Sequence, residues 1–135
     1  MTDSLTFVRL LGSIREHLTT HRLTTPLASV AVGCDALDGE RVTVHLRPSL
    51  LSGLAAGLLA WADTLTNVTV TAWRPPHGET VHLTVIGERH DSTCVAVYGG
   101  VDFSADVFGD LQPDGRQGVA LSVLRGWAGG SAVAA

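Results

Sequence analysis

The segment 69–85, TVTAWRPPHGETVHLTV, alternates polar and apolar residues on both sides of a Pro-Pro-His-Gly turn. Alternation with a period of two is typical of a β-strand that buries one of its faces. Two such strands joined by a short turn rich in Pro and Gly predict an antiparallel hairpin. The hairpin requires a sheet whose inward face packs on a core. It leaves open what the polar and aromatic face contacts.

The hairpin pattern also predicts a register. A loop at 75–78 pairs apolar residues with apolar residues on the inward side. In this register Thr71 lies opposite His82 on the outward side, and a third strand then places Tyr98 opposite His82. The sequence thus predicts one row of Thr71, His82 and Tyr98 across three strands.

Helical and alternating patterns elsewhere complete the predicted fold. Residues 4–20 carry apolar side chains every three or four positions, which predicts an amphipathic helix. Two alternating segments around Asp38-Gly39 predict a second hairpin, and the segment 50–65 predicts a helix that is apolar around almost its whole circumference. A short helix is indicated near Trp127. The predicted class is α+β, with an antiparallel sheet of about five strands in the order α-β-β-α-β-β-β, a C-terminal helical segment and the helices on one face.

Length and composition fit one domain. The chain has 135 residues, of which 45% are hydrophobic and 16% are charged, so it can bury a core without disulfides or metal ions. We predict a single α+β domain at 1–128 and a disordered tail at 129–135. Cys34 and Cys94 lie in separate predicted strands without CxxC spacing, which favours reduced thiols in the core.

Charge and hydropathy argue against several classes of partner. The net charge is −4, and the nine basic residues are all Arg and are scattered, so the basic stripe that duplex nucleic acid binding needs is absent. The longest apolar run, 50–62, is too short to span a bilayer. The segment 1–17 lacks the basic start and uninterrupted apolar stretch of a signal peptide. We expect a cytoplasmic protein that binds neither duplex nucleic acid nor membranes.

The sequence contains no pattern that predicts catalysis or a resident cofactor. His17 and His21 have a spacing that can hold a metal ion, but no nearby Cys, Asp or Glu completes a ligand set. Cys94 and His82 share the outward face, but the predicted register separates them too far for a thiolate-imidazole pair. No GxSxG motif and no phosphate-binding glycine loop occurs. We predict no catalytic residue, no metal site and no cofactor, although loop residues could still assemble an active site.

The outward face of the sheet remains as the candidate surface. It combines Thr with aromatic, His, Ala and Cys residues, whereas a solvated antiparallel sheet face usually carries Lys, Glu and Arg. This composition favours a face covered by a second copy of the chain, a partner protein, the C-terminal segment or a small ligand. Strand propensity alone could also explain it. The candidate binding residues are Thr71, Trp73, His82, Tyr98, His45 and Arg47.

Three functions are consistent with these patterns. The sequence favours a non-enzymatic interaction or accessory protein that self-associates, most simply as a dimer, through the charge-poor sheet face or the apolar helix. The alternative is a small-molecule-binding protein or enzyme with Trp73, His82 and Tyr98 along a pocket wall. A single-stranded nucleic acid binder that stacks bases on these aromatic residues is a third possibility, against which the negative charge counts.

Overall fold

Four helices and six strands make up the part of the chain that the structure, a computed structural model, describes, namely residues 4–35 and 39–129. The chain is α+β, as predicted. The predicted Asp38-Gly39 turn lies partly outside the described residues. The predicted tail at 129–135 also lies outside them, apart from Gly129, which ends the last helix. In chain order the elements are α1 (Ser4–Thr20), β1 (Leu27–Asp35), β2 (Gly39–Leu46), α2 (Leu51–Ala62), β3 (Thr66–Trp73), β4 (Thr80–Glu88), β5 (Cys94–Asp102), α3 (Ala105–Phe108), β6 (Arg116–Gly118) and α4 (Leu121–Gly129).

The six strands form one mixed sheet in the order β1-β2-β5-β4-β3-β6. Every neighbouring pair is antiparallel except β2 and β5, which are parallel. The predicted antiparallel sheet of about five strands is thus a mostly antiparallel sheet with one parallel pair and six strands rather than five. A parallel pair needs a long crossover connection, which α2, β3 and β4 provide here. The sixth strand, β6, has only three residues and is too short to show alternation in the sequence.

The predicted register across β3, β4 and β5 is wrong by two residues. Thr71 lies opposite Thr84 rather than His82. Tyr98 also lies opposite Thr84, and His82 lies opposite Gly100. A slip of two residues keeps each side chain on its own face of the sheet, so the inward and outward assignments are confirmed. The predicted single row of Thr71, His82 and Tyr98 is wrong.

The slip corresponds to a longer hairpin loop. β3 ends at Trp73 and β4 begins at Thr80, so the loop extends over 74–79 instead of 75–78. The side chain of Arg74 holds this loop, because its Nε donates to the carbonyl oxygen of Gly78 and its Nη1 donates to that of Leu111.

The helices pack on one face of the sheet, which we call the inner face. Leu54, Leu58 and Trp61 of α2 are fully buried against it, and Leu10 of α1 joins the same core. Gly99 of β5 lets α2 approach closely, because a Cβ at that position would overlap the side chain of Leu54.

The C-terminal segment lies on the inner side of the molecule. Phe108 of α3 and Leu124 of α4 are part of the buried core cluster, and Trp127 packs against it. Helix α4 contacts α2 extensively. The C-terminal helices therefore do not cover the opposite side of the sheet. The sequence allowed four covers for that side, and the C-terminal segment is not the one.

The two cysteines are free, but they are not both core residues. Cys94 is partly buried, whereas Cys34 is exposed. The prediction of core thiols is therefore wrong for Cys34. The reason is that β1 is an edge strand, so Cys34 has a neighbouring strand on one side only.

Candidate functional site

A row of stacked rings crosses the side of the sheet that faces away from the helices, which we call the outer face. His45 of β2 stacks on Tyr98 of β5, with ring centroids 4.5 Å apart and planes 4° apart. Tyr98 is 6.1 Å from His82 of β4, and the edge of His82 meets Trp73 of β3 at 5.4 Å and 82°. The guanidinium of Arg116 lies 4.9 Å from the centre of the Trp73 ring. We call these five residues the aromatic row.

Strand pairing explains why these rings meet. His45 and Tyr98 are direct partners across the parallel junction, and Trp73 and His82 are direct partners across the hairpin. His82 and Tyr98 are diagonal neighbours, a separation that aromatic side chains can bridge. Gly100, the partner of His82, carries no side chain, and an added Cβ there would lie 3.8 Å from Cδ2 of His82. The His82 ring therefore lies over Gly100.

The structure brings four of the six candidate binding residues together and places the other two beside them. The four that belong to the aromatic row are Trp73, His82, Tyr98 and His45. Thr71 is partly buried and lies in the neighbouring cross-strand row with Tyr98. Arg47 is exposed just beyond the end of β2, and its backbone N–H donates to the carbonyl oxygen of Pro26.

Arg116 is the member of the aromatic row that sequence reasoning missed. Its position over Trp73 follows from the pairing of β6 with β3, in which Arg116 and Trp73 are direct partners. No pattern in the sequence marks so short a strand. The indole N–H of Trp73 donates to the carboxylate of Asp114 at 3.2 Å, so this end of the row carries both an Arg and an Asp.

Within the described strands, the middle of the outer face carries no Arg, Asp or Glu side chain. The pKa of His82 lies below its usual 6.5, chiefly because burial penalises the charged imidazolium and further because His45 and His77 are close. The charged side chains on the described part of this face stand at the ends of strands, among them Glu88, Asp102 and Arg116. The outer face thus has an aromatic and hydroxyl-bearing centre within a charged rim.

An open cleft of about 310 Å³ lies beside the aromatic row, at one end of β2, β4 and β5. Gly100 and the ring of His82 form part of its wall. The polar side chains that line it are His45, Arg47, Ser49, Thr80, His82 and Asp102.

A second polar cluster is buried between α1 and the turn that joins β4 to β5. Arg89, whose side chain is 1% exposed, donates from Nε to Nδ1 of His17 at 2.9 Å. Its Nη1 donates to Asp91 at 3.0 Å and also to the Ser13 hydroxyl, and its Nη2 donates to Glu16 at 3.2 Å. The cluster fastens α1 to the sheet. No pattern in the sequence marks this cluster, because its members come from α1 and from a turn more than 70 residues away.

The hydrogen bonds of His17 define its protonation state. The hydroxyl of Thr64 donates to the carbonyl oxygen of Trp61, so it accepts from Nε2 of His17 at 2.8 Å. Nδ1 accepts from Arg89, and His17 is therefore neutral. Burial, together with His21 and Arg89, lowers its pKa to about 4. Both ring nitrogens are engaged, so His17 has no nitrogen left to bind a metal ion alongside His21.

Two further arrangements bear on chemistry. Cys94 pairs with Glu88 and His82 pairs with Gly100, so the thiol and the imidazole are six residues apart along β5. This separation is roughly 20 Å, which excludes a thiolate-imidazole pair. Among the residues that the structure describes, no group of three or more His, Cys, Asp or Glu side chains is placed to hold a metal ion. No helix within 4–35 and 39–129 is both long and apolar enough to cross a membrane.

Comparison of the chain with protein-family models, with curated proteins and with solved structures found no match.

Proposed function

We propose that this chain is a non-enzymatic interaction protein that self-associates by packing its outer face against the outer face of a second copy. The observation that carries the proposal is the aromatic row, whose stacked rings cross four strands with no charged side chain between His45 and Trp73. An aromatic centre within a charged rim is the usual anatomy of a protein interface. Trp, Tyr and Arg are also the residues that most often dominate binding energy at such interfaces.

The size of the outer face supports a second copy as the occupant. Strands β1 to β5 each have eight or nine residues. At usual strand spacing and rise, these five strands present roughly 600 Å² per copy, and a standard interface buries about 800 Å² per partner. Packing of two such faces would therefore use almost the whole surface, as in the face-to-face sheets of a β-sandwich.

The distribution of charge supports the same occupant. A two-fold interface brings the centre of the face against itself, so any charge near the axis would meet its own copy. The centre carries Tyr and Thr side chains and His82, whose pKa lies below its usual 6.5. The rim carries positive charge at Arg116 and negative charge at Glu88 and Asp102, which stand at other strand ends. Opposite charges can therefore approach each other across the interface.

Sedimentation velocity over a range of concentrations tests this proposal. We expect Tyr98→Glu to lower the sedimenting mass relative to the wild type, because it places like charges at the centre of the paired faces. Tyr98→Phe should retain the wild-type mass. Leu50→Glu is the matched control, because Leu50 is 77% exposed and lies outside the outer face. A wild-type monomer at every concentration, or equal masses for Tyr98→Glu and the wild type, would contradict the proposal.

The cleft beside the aromatic row favours small-molecule binding as a second candidate function. Its volume of about 310 Å³ is within the range of ligand sites, and Arg47 and Asp102 offer opposite charges on its walls. A fragment screen by NMR tests it. Binding should shift the resonances of His45, His82 and Gly100, whereas a screen without shifts at these residues would count against the candidate.

Single-stranded nucleic acid binding has less support than either candidate. Arg116 and Arg47 could contact phosphates at the two ends of the face, but Glu88 and Asp102 lie on the same rim and the net charge is −4. Fluorescence anisotropy with labelled oligonucleotides at low salt is the direct test. We expect no binding.

A further inference from the structure

The two edges of the sheet are different. β6 forms one edge with only three residues and carries Arg116, and short, charged edge strands resist pairing with other chains. β1 forms the other edge with nine residues, and within the described chain it pairs only with β2. Its one irregularity lies between Leu27 and Ser29, so the remaining backbone is a regular edge. Between the irregularity at its start and Asp35 at its end, β1 therefore lacks the features that protect edge strands.

The side chains of β1 also fit pairing with another strand. From Leu27 to Cys34 the strand contains no charged residue and no proline. Val30 is 37% exposed even though it points to the inner side, where the other strands bury their valines. An uncharged strand with exposed Val and Ala residues is suited to add a neighbour by backbone hydrogen bonding.

The first turns of α1 extend this surface into the helical layer. Arg9 forms an ion pair with Glu40 of β2, Ser13 contacts Thr93 just before β5, and His17 contacts Arg89 just after β4. The helix thus crosses the strands, and its N-terminal end points toward β1, which it also contacts.

The exposed face of this part of α1 is apolar. Leu5 is 76% exposed, Val8 is 63% exposed and Leu11 is 51% exposed. They recur every three residues and so lie along one side of the helix. The stripe lies on the side of α1 opposite the buried Leu10 and Ile14, so it faces away from the sheet above the edge that β1 forms.

We propose that a second copy of the chain pairs its β1 antiparallel to β1 about a two-fold axis perpendicular to the sheet. The two sheets would become one continuous sheet of twelve strands, and the N-terminal turns of the two α1 helices would meet on the inner side. A second copy suits this edge, because antiparallel pairing about the axis places the uncharged stretch 27–34 of one copy against the same stretch of the other and keeps the two Asp35 residues apart.

This interaction uses a different surface from the proposed function and goes beyond it. The outer faces of both copies remain open when β1 pairs with β1, because the edge axis is perpendicular to the sheet. Packing of the outer faces uses an axis within the sheet plane. The two interactions together give a tetramer of the kind with perpendicular two-fold axes, and each alone gives a dimer.

Single-cysteine cross-linking tests the strand pairing. In a chain with Cys34→Ser and Cys94→Ser, one cysteine is introduced in turn at each position from 29 to 33, with Ser52→Cys on exposed α2 as the control. An antiparallel pair about a two-fold axis brings only the residue on the axis opposite itself. We expect mild oxidation to give a disulfide-linked dimer with a sharp maximum at one position. Yields at all five positions no higher than that of Ser52→Cys would overturn the proposal.

Charged variants separate this proposal from the proposed function. Val30→Lys with Leu5→Lys should halve the sedimenting mass of the wild-type tetramer, Tyr98→Glu should halve it independently, and all three substitutions together should give a monomer. An unchanged mass for the edge variant overturns edge pairing and leaves the proposed function intact. If the mass changes in the edge variant and not with Tyr98→Glu, edge pairing stands and the proposed function fails. A circular dichroism melt of each variant checks that it is folded.

Discussion

The imidazole of His45 lies flat against the phenol ring of Tyr98, with the two centroids 4.5 Å apart. The two residues are direct partners across the junction of β2 and β5, which is the one parallel junction in the described sheet. Their contact therefore joins the N-terminal hairpin to the β3, β4 and β5 meander on the outer face, while the core joins the same strands on the inner face.

Replacement of His45 by Ala tests the stability that this stack contributes. Stacked cross-strand pairs stabilise a sheet by about 0.5 to 1 kcal/mol, so we expect His45→Ala to lower the free energy of unfolding by about that amount in urea denaturation. Thr43→Ala is the matched control on β2, because Thr43 faces Ala96 and not an aromatic ring. Equal losses for the two variants would show that the stack adds nothing.

The pH dependence of self-association follows from the histidines on the outer face. The pKa of His82 is lowered by burial, by His45 and by His77, and burial in an interface would lower it further. Protonation of His82 places positive charge at the centre of the paired faces. We therefore expect self-association to weaken as the pH falls from 7.5 to 5, when it is followed by sedimentation in the Val30→Lys and Leu5→Lys background. His82→Gln should reduce this dependence, and an association constant that stays level with pH would contradict the prediction.

Burial of His17 should make folding depend on pH in a defined window. Its pKa is about 4 in the folded chain, against an ordinary value of 6.5, so the unfolded chain binds the proton more strongly. Stability is then complete above pH 6.5, falls as the pH decreases toward 4 and levels off below that. One pKa unit corresponds to about 1.4 kcal/mol, so the loss is roughly 3 to 4 kcal/mol.

Denaturant unfolding at a series of pH values measures this loss, and NMR titration of the imidazole measures the pKa directly. His17→Asn should remove most of the slope between pH 6.5 and 4, with a remainder from His82, whose pKa is also lowered. His77→Asn in an exposed turn should retain the slope. Asp91 contributes in a separate pH window. Its pKa in the folded chain is lowered to about 2, so the stability that it contributes is lost only below pH 3.8. A folded-state pKa of His17 near 6.5 would show that the imidazole is not held neutral by burial.

Replacement of Arg89 should destabilise the fold more than replacement of any of its polar partners. Its buried guanidinium holds His17, Ser13, Asp91 and Glu16 together. Removal of one partner from a buried charged network costs about 3 kcal/mol, and Arg89→Met should approach that value in urea denaturation. Arg89→Lys should cost about 2 kcal/mol, since Lys cannot reproduce the planar set of donors.

A matched control for Arg89 is available on α1. Arg9 pairs with Glu40 on the surface, and both side chains are exposed. Exposed ion pairs contribute about 0 to 1 kcal/mol, so Arg9→Ala should change stability little. Similar losses for Arg9→Ala and Arg89→Met would mean that the buried cluster does not fasten α1 to the sheet.

Two adjacent glycines in β5 should respond differently to replacement by Ala. A Cβ at Gly99 would overlap the side chain of Leu54 on the inner face, so Gly99→Ala should destabilise the fold by about 1 to 3 kcal/mol. A Cβ at Gly100 would meet His82 at an ordinary contact distance of 3.8 Å. Gly100→Ala should therefore stay within about 0.5 kcal/mol of the wild type. Thermal unfolding of both variants measures the difference, and equal midpoints would contradict the close approach of α2 to β5.

Alternation in the sequence was enough to predict which face of each central strand is buried, but it could not define the register. A period of two is satisfied equally by two registers that differ by two residues, as Thr71 and His82 illustrate. The choice depends on the length of the loop, which Arg74 holds through side-chain bonds to Gly78 and to Leu111, a residue distant in sequence. The parallel pairing of β2 with β5 likewise depends on how the intervening elements pack.

The candidate site was predictable in composition and not in arrangement. Polar and aromatic residues occupy the outward positions of the predicted strands, and this pattern identifies Trp73, His82, Tyr98 and His45. Arg116 was not, since its place over Trp73 requires β6. The buried Arg89 was missed for a related reason, because its partners come from α1 and only the tertiary fold brings them together.

An NMR dilution series tests the central claim, self-association through the outer face, most directly. The chain carries Val30→Lys and Leu5→Lys to remove edge pairing, and amide and side-chain spectra are compared from micromolar to millimolar concentration. We predict concentration-dependent shifts at Thr71, Thr84 and Tyr98, with none at the exposed Leu50 and Val123. Spectra that do not change on dilution, or changes confined to Leu50 and Val123, would contradict the account.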